Sequence, residues 1–281
     1  MPNGHRLFDD SNGPFHDIQQ IAQAVSETGA FVGHRYFGVP TDRAGVFYRF
    51  DLRITDPARW RRDSGGRRLA IRLSVLPARI IGNVPRTLDF RCEVLIDDTP
   101  CCAGSASLVF LAPVLHGNYI RLSRGAALAL VHRQELPRLP EAPAEPAAVG
   151  RRDPHNVVVG EPADAGAGRL AVQVRVPERH AVFPVATESH TPGLLLLEAL
   201  RQTSLLAASR IRGLPAERST LSSIQAHFRG YAEPDMPLRC TAVPGELGED
   251  AAGRPFVPVT LTLSQQGRAV TEAATAVLQD F

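Results

Sequence analysis

One stretch organises this chain: Pro192-Gly-Leu-Leu-Leu-Leu-Glu-Ala-Leu-Arg-Gln-Thr-Ser-Leu-Leu-Ala-Ala-Ser-Arg-Ile-Arg-Gly213. Pro-Gly opens it, Gly213 and Pro215 close it, and Ser189 or Thr191 is a candidate N-cap, so the pattern predicts a helix over 194–211. Apolar side chains lie on most sides of this helix. We therefore expect it to be largely buried rather than exposed along one face.

A related pattern occurs earlier in the chain, at a constant offset of 175 residues. The identical pairs in this register are His5/His180, Phe8/Phe183, Ala24/Ala199, Arg35/Arg210, Gly38/Gly213, Pro40/Pro215 and Arg43/Arg218. Seven identities across roughly forty residues indicate two copies of one structural unit. The helix that matches 194–211 is predicted over 18–35.

A proline-rich run separates the two copies. From Leu136 to Pro146 proline recurs at every third position, which neither a helix nor a central strand tolerates. The run predicts a first unit over 1–130, an extended linker over 131–149 and a second unit over 150–281. The second unit begins with a loop and strand over 150–159 whose counterpart would precede residue 1, so we expect the first unit to be shortened at its N-terminus.

Each predicted helix is followed by segments typical of β-strands. They are 46–54, 69–76, 88–96, 106–111, 257–263 and 270–278, with hairpin turns at 97–100 and 265–267. One buried helix wrapped by a curled antiparallel sheet describes a hot-dog fold. The repeat therefore predicts an α+β protein with a tandem, or double, hot-dog architecture.

Composition excludes several classes of function. The formal net charge is only +2, which favours neither nucleic acid nor a membrane surface as a partner, and no apolar run approaches the roughly 20 residues of a membrane helix. All 31 basic residues are Arg, which excludes Schiff-base and Walker-type lysine chemistry. The N-terminus lacks the apolar core of a signal peptide, and two of the four cysteines are adjacent, so a reducing cytoplasm is expected.

The densest polar cluster lies on the second helix. Glu198, Arg201 and Gln202 are spaced i, i+3, i+4 and share one face of an otherwise apolar helix. One interpretation is a Glu-Arg pair facing solvent or the other unit. The other is a general base for acyl transfer, because the helix starts at His190-Thr-Pro-Gly193, where free backbone N–H groups can polarise a carbonyl.

These residues resemble a known family. His180-Ala-Val-Phe183, followed by His190-Thr-Pro-Gly-Leu-Leu-Leu-Leu-Glu-Ala-Leu-Arg-Gln202, resembles the signature of the AfsA-like, A-factor-type γ-butyrolactone synthases. The segments 23–27, 34–40 and 119–122 are similar to the first repeat of that family. The resemblance covers nearly the whole chain, apart from the missing N-terminal strand and the linker.

The resemblance implies an activity and a set of roles. Such proteins join a β-ketoacyl group from acyl carrier protein to dihydroxyacetone phosphate, in γ-butyrolactone or butenolide biosynthesis, without a metal or redox cofactor. By resemblance, Glu198 assists deprotonation of the attacking hydroxyl, and Arg201 binds the phosphate or the oxyanion. Gln202, His190 and the Gly193 amide orient the substrate or polarise its carbonyl.

The first helix departs from the pattern of that family. Gln23 stands where the family carries a functional Glu, Ser26 replaces the corresponding Arg, and Glu27 occupies the usual Gln position. Glu27 lies about one turn beyond Gln23 and could contribute a carboxylate to a substrate site, although a solvated Glu is at least as common. We therefore expect the second unit to hold the intact site and the first to be degenerate.

Alternatives stay open at this point. A thioesterase or dehydratase acting on a carrier-bound acyl group, and a non-catalytic acyl-binding protein, both fit the fold. His5 and His180, at equivalent positions, are predicted to be structural, and Cys101-Cys102 and Cys240 are predicted to be neither zinc ligands nor nucleophiles. The chain is expected to be a monomeric pseudo-dimer or a homodimer, and the acyl length is not specified.

Overall fold

Eleven strands of the described residues form one antiparallel sheet that extends through both units. The computed structural model describes residues 6–43, 45–62, 68–131, 137–175, 180, 182–183 and 191–280. Within them the helices are α1 (Gln19–Tyr36), α2 (Pro113–Val131) and α3 (Gly193–Arg212). The strands are β1 (Gly45–Ile54), β2 (Leu69–Ile81), β3 (Val84–Ile96), β4 (Thr99–Phe110), β5 (Ala163–Asp164), β6 (Leu170–Val174), β7 (Ser219–Phe228), β8 (Leu238–Pro244), β9 (Gly248–Glu249), β10 (Pro255–Gln265) and β11 (Arg268–Gln279).

The strand order shows where the two units meet. It reads β2-β3-β4-β1-β7-β11-β10-β8-β6-β5, with β9 paired to β10. β1 and β7, the first strand after each central helix, pair antiparallel at the junction. Phe50 lies opposite Ala226 and Asp51 opposite Gln225, a register that the 175-residue offset maps onto itself. The junction therefore has local two-fold symmetry, and the double hot-dog prediction is confirmed.

Helix α3 forms the centre of the second unit. It extends the predicted helix by one residue at each end, and all its residues from Leu195 to Ala208 are buried. Gly213 closes it in the left-handed conformation at φ 75° and donates to the carbonyls of Ala208 and Ser209. Burial on every side explains why its apolar residues do not form a single stripe.

Helix α1 holds the corresponding place in the first unit, one residue later than predicted at each end. Two glycines bring it close to the sheet. A Cβ at Gly29 would lie 2.3 Å from Leu108 Cδ1, and one at Gly33 would lie 2.7 Å from Phe110 Cζ. Only part of α1 is buried, and Phe31 and Tyr36 remain 59% and 71% exposed.

Two segments differ in detail from the expectations for the middle of the chain. Residues 113–131 form helix α2, which the strand pattern did not predict; it contacts the second unit through Ser123 Oγ, which donates to the Tyr231 carbonyl at 2.9 Å. The predicted linker over 131–149 also contains helical structure, since Val131 ends α2 and Ala147–Val149 form a short 3-10 helix; between them the Ala144 amide donates to the Val159 carbonyl at 3.0 Å. Asp97-Asp98 and Gln266-Gly267 all have positive φ, which confirms the two predicted hairpin turns.

Candidate functional site

The carboxylate of Glu198 lies in the interior of the second unit, with none of its surface exposed. Its Oε1 accepts from Arg151 Nε at 3.0 Å, Arg201 Nη2 at 2.8 Å and Gln202 Nε2 at 2.6 Å. Its Oε2 accepts from Arg201 Nε at 3.0 Å and forms an ion pair with Arg151 Nη2 at 2.8 Å. The predicted triplet is therefore brought together, and every acceptor position of Glu198 is filled by protein.

The surroundings of Glu198 determine its charge. Burial opposes ionisation and would raise its pKa, but the cations Arg151 and Arg201, with the Gln202 amide, outweigh burial and hold the pKa at about 2. Glu198 is consequently a carboxylate at neutral pH. A carboxylate of such low pKa is a weak proton acceptor, so the predicted role as general base requires one of the arginines to move away.

Arg151 is the main partner that the sequence pattern did not identify. It follows Gly150, whose φ of 72° ends the short helix at Ala147–Val149, and its side chain is fully buried. Its Nη1 donates to the Leu7 carbonyl at 2.7 Å and pairs with Asp17 Oδ2 at 2.7 Å. Burial lowers the pKa of Arg151, but Asp17 and Glu198 outweigh it and raise the pKa. Arg151 thus joins the first unit to Glu198.

Gln202 connects this cluster to the segment before β6. Its Nε2 donates to the Asn156 carbonyl at 2.7 Å, and its Oε1 accepts from the Val158 amide at 2.9 Å. His180 lies beyond Asn156: its Nε2 is 2.9 Å from Asn156 Oδ1, and its Nδ1 accepts from the Val182 amide. Burial lowers the pKa of His180, so the ring is neutral near pH 7, with the proton on Nε2. Both ring nitrogens have partners, as the structural interpretation predicted.

A small cavity adjoins the guanidinium of Arg201. Its volume is about 10 Å³, room for at most one water molecule, and its lining includes Asp17, Gly150 and Arg201. Arg201 Nη1 lies 3.2 Å from the point where a Cβ on Gly150 would stand. A phosphate at Arg201, as the resemblance implies, therefore requires the segment that carries Gly150 to move.

The two central helices begin differently. At α1, Asp17 Oδ1 accepts from the Gln19 amide at 2.9 Å, so a carboxylate of the chain already occupies this N-terminus. At α3, Pro192 is extended and no side chain of the described residues caps the helix; residues 184–190 lie outside that part of the chain. A Cβ on Gly193 would contact Phe47 at 3.5 Å and Phe228 at 3.7 Å, so aromatic rings surround this end. His190 lies outside the described residues.

The counterpart of the triplet on α1 is much simpler. Gln23 Nε2 donates to Glu27 Oε1 at 2.7 Å; Gln23 is half-buried, and its Oε1 has no hydrogen-bond partner among the described residues. Ser26 supplies no cation, and no ion pair to Glu27 is found among the described residues. Gln23 and Glu27 therefore do not reproduce the Glu198 cluster.

Comparisons with known proteins agree with this architecture. A family model described as "A-factor biosynthesis hotdog domain" matches residues 132–278. A 2-oxo-3-(phosphooxy)propyl 3-oxoalkanoate synthase of Streptomyces griseus is 27% identical over 273 residues, which cover 96% of this chain and 82% of the relative. A protein of the same name from Streptomyces coelicolor is 26% identical, and the matched residues cover 92% of this chain and 76% of that relative.

Solved structures show the fold at greater distance. A Lactobacillus plantarum protein described as an oleoyl thioesterase superposes with a TM-score of 0.55 at 11% identity. The match covers 95% of this chain and 90% of that one, so the tandem arrangement is shared along nearly the whole length. In the described part of the chain, no helix combines the length and the apolar character that a membrane span requires.

Proposed function

The chain belongs to the A-factor biosynthesis hotdog domain family, and from this membership we propose that it transfers a 3-oxoacyl group from acyl carrier protein to dihydroxyacetone phosphate. The observation that carries the proposal is the similarity, over nearly the whole of this chain, to two synthases whose name describes that ester. The acceptor hydroxyl attacks the thioester carbonyl, a C–O bond forms, the C–S bond breaks, and the hydroxyl proton ends on the released thiol.

The start of α3 is the part of the molecule best suited to the thioester carbonyl. Its first amides point out of an uncapped helix end, and Gly193 leaves space beside the rings of Phe47 and Phe228. Backbone N–H groups at a helix N-terminus stabilise the negative charge that develops on the carbonyl oxygen. The start of α1 does not offer this, because Asp17 fills it.

The charged cluster positions this helix. Glu198, Arg201 and Gln202 connect the first half of α3 to the carbonyls of Val149 and Asn156, and Arg151 connects it to Leu7 and Asp17 of the first unit. The cluster holds the uncapped end at a fixed place against the first unit. Arg201 Nη1 faces the small cavity and is the group available to a phosphate once the cavity widens.

Two residues are candidates for the proton acceptor. Glu198 can accept the proton only if Arg151 or Arg201 moves away. His190 is a candidate because it stands just before the helix in the sequence. A histidine base of ordinary pKa makes the rate fall below about pH 6.5. The Glu198 pKa of about 2 belongs to the state in which both arginines are in place. The pH–rate profile of ester formation therefore tests His190: a rate that does not fall below about pH 6.5 would exclude a histidine base of ordinary pKa.

Mass spectrometry tests the activity directly. Purified protein is mixed with a 3-oxoacyl carrier protein, with and without dihydroxyacetone phosphate, and inorganic phosphate replaces the acceptor in the control. We expect loss of the acyl group and a new phosphorylated ester only with the complete acceptor. Release of free acid without any acceptor would instead identify a thioesterase. An acyl group that stays on the carrier protein in every mixture, together with tight binding of the acyl chain, would favour an acyl-binding protein.

A further inference from the structure

Two buried hydroxyl groups in the second unit have no hydrogen-bond partner among the described residues. Thr191 is 2% exposed and Thr271 is 0% exposed, and the Oγ1 atom of each is unpaired. An unsatisfied buried hydroxyl is costly, so most buried hydroxyls in proteins have a partner. Two such groups in one unit suggest that their partner is a molecule other than this chain.

Both threonines lie around the uncapped end of α3. Thr191 directly precedes the N-cap Pro192, and its amide is held by the Ala232 carbonyl at 2.8 Å. Thr271 on β11 is directly opposite Phe228 on β7, so their side chains share one face of the sheet. Phe228 is the residue whose ring lies 3.7 Å from the Cβ position of Gly193.

A neighbouring threonine shows which way this face of β11 points. Thr275, four residues after Thr271 and therefore on the same face, has its Oγ1 2.9 Å from Ser204 Oγ on α3. The face that carries Thr271 is accordingly the one that packs against the central helix. Thr275 has a hydrogen-bond partner on α3. Thr271, nearer the start of the helix, has none among the described residues.

We propose that Thr271 and Thr191 bind the 3-oxo oxygen of the acyl chain and select a 3-oxoacyl thioester over an unsubstituted one. The inference rests on the proposed transfer reaction, in which the α3 amides hold the thioester carbonyl. The two carbonyl groups of a 3-oxoacyl chain are separated by one methylene, so the second oxygen falls beside the first. Hydroxyl donors suit a ketone oxygen, and an unsubstituted chain leaves both hydroxyls unpaired.

Substitution by valine tests this selectivity. Thr271→Val and Thr191→Val keep the shape of the side chain and remove the hydroxyl. We measure kcat/KM for a 3-oxoacyl thioester and for the unsubstituted acyl thioester of equal length, and the affinity of the corresponding non-reactive ketone analogues by calorimetry. We expect each variant to lower the ratio between the two substrates about tenfold, because a polar group built for a substrate oxygen discriminates strongly.

Thr275→Val is the matched control, because it lies on the same face of the same strand and has a protein partner. It should lower the melting temperature and leave the substrate ratio unchanged. Thr271→Val should leave the melting temperature unchanged or raise it, since no protein hydrogen bond is lost. A lower melting temperature with an unchanged ratio would show that Thr271 is structural and overturn its assignment.

The binding measurement separates this inference from the proposed function. If no ester forms but the 3-oxo analogue binds more tightly and loses that advantage in both valine variants, the subsite stands and the transfer reaction does not. If ester forms and both variants keep the wild-type preference, the transfer reaction stands and the subsite is wrong.

Discussion

Helices α1 and α3 occupy equivalent positions in the two units, yet only α3 carries a buried charge cluster. Glu198 is fully enclosed between Arg151 and Arg201, whereas its counterpart Gln23 donates a hydrogen bond to Glu27 on the same helix. Asp17, next to the start of α1, contributes its carboxylate to Arg151 of the second unit. Both copies have therefore kept the helix packing, while a polar residue of the first copy has come to support the charge cluster of the second.

The largest expected effect is at Glu198. Glu198→Gln keeps the shape of the side chain but leaves two buried guanidinium groups without their common counter-ion, which should cost about 3–5 kcal/mol of unfolding free energy. Glu27→Gln on the exposed face of α1 is the control and should change stability by less than about 0.5 kcal/mol. Chemical denaturation measures the free energy of unfolding of both variants. Equal losses would mean that Glu198 and Glu27 contribute equally to stability.

The acid side of the stability curve should show the same difference. The pKa of Glu198 falls from the usual 4.5 to about 2 in the folded protein, so the unfolded chain takes up this proton first as the pH decreases. The stability that Glu198 contributes is complete above pH 4.5 and is lost toward pH 2, at about 1.4 kcal/mol for each unit of pKa difference. Across this window the free energy of unfolding should depend less steeply on pH in Glu198→Gln than in the wild-type protein. An equal pH dependence in both proteins would contradict the lowered pKa of Glu198.

The Glu and Arg of the α3 triplet can be introduced at the equivalent positions of α1 by substitution. Gln23→Glu places a second carboxylate four residues before Glu27 with no cation at position 26, and we expect a loss of about 1 kcal/mol. Ser26→Arg in the same chain should restore most of it. Thermal melting of the single and double variants measures this coupling, and additive effects would show that the two positions do not interact.

The smallest expected effect on stability is at the start of α3. A Cβ on Gly193 has only ordinary contacts, 3.5 Å or longer, so Gly193→Ala should change the unfolding free energy by less than about 0.5 kcal/mol. Ester formation should nevertheless fall, because the methyl group crowds the amide that receives the carbonyl. Gly125→Ala on α2, where nothing lies within 4 Å of the added Cβ, should leave ester formation unchanged. Full activity in Gly193→Ala would remove this amide from the mechanism.

The fold could be predicted from the sequence because its strongest signals, the repeat and the turn residues, can be read directly from the sequence. The offset of 175 residues identifies both central helices, and the hairpin turns at Asp97-Asp98 and Gln266-Gly267 interrupt clear strand patterns. Helix α2 was missed because its exposed apolar residues, such as Val114 and Leu122, give it no clear buried stripe. Its contacts, to Tyr231 and Asp235, lie far away in sequence.

The sequence predicted the contacts of the Glu198 cluster only within one helix turn. The i, i+3, i+4 spacing was enough to place Glu198, Arg201 and Gln202 together. Arg151 and Asp17 could not be assigned in this way, since Arg151 contacts Glu198 from 47 residues away and Asp17, in the first unit, contacts Arg151. The missing signal was electrostatic: a fully buried Glu198 and Arg201 with an additional cation need a further carboxylate for balance, and Asp17 supplies it.

The pairing of β1 with β7 has a consequence for how the two halves could diverge. A half-chain with this symmetric edge could make the same contact with a copy of itself, and every substitution would then appear twice across the junction. Joining the halves in one chain raises their effective concentration to the millimolar range and makes the association intramolecular. Each half is thereby released from matching an identical partner, so Asp17 and Arg151 could specialise on one side of the molecule only.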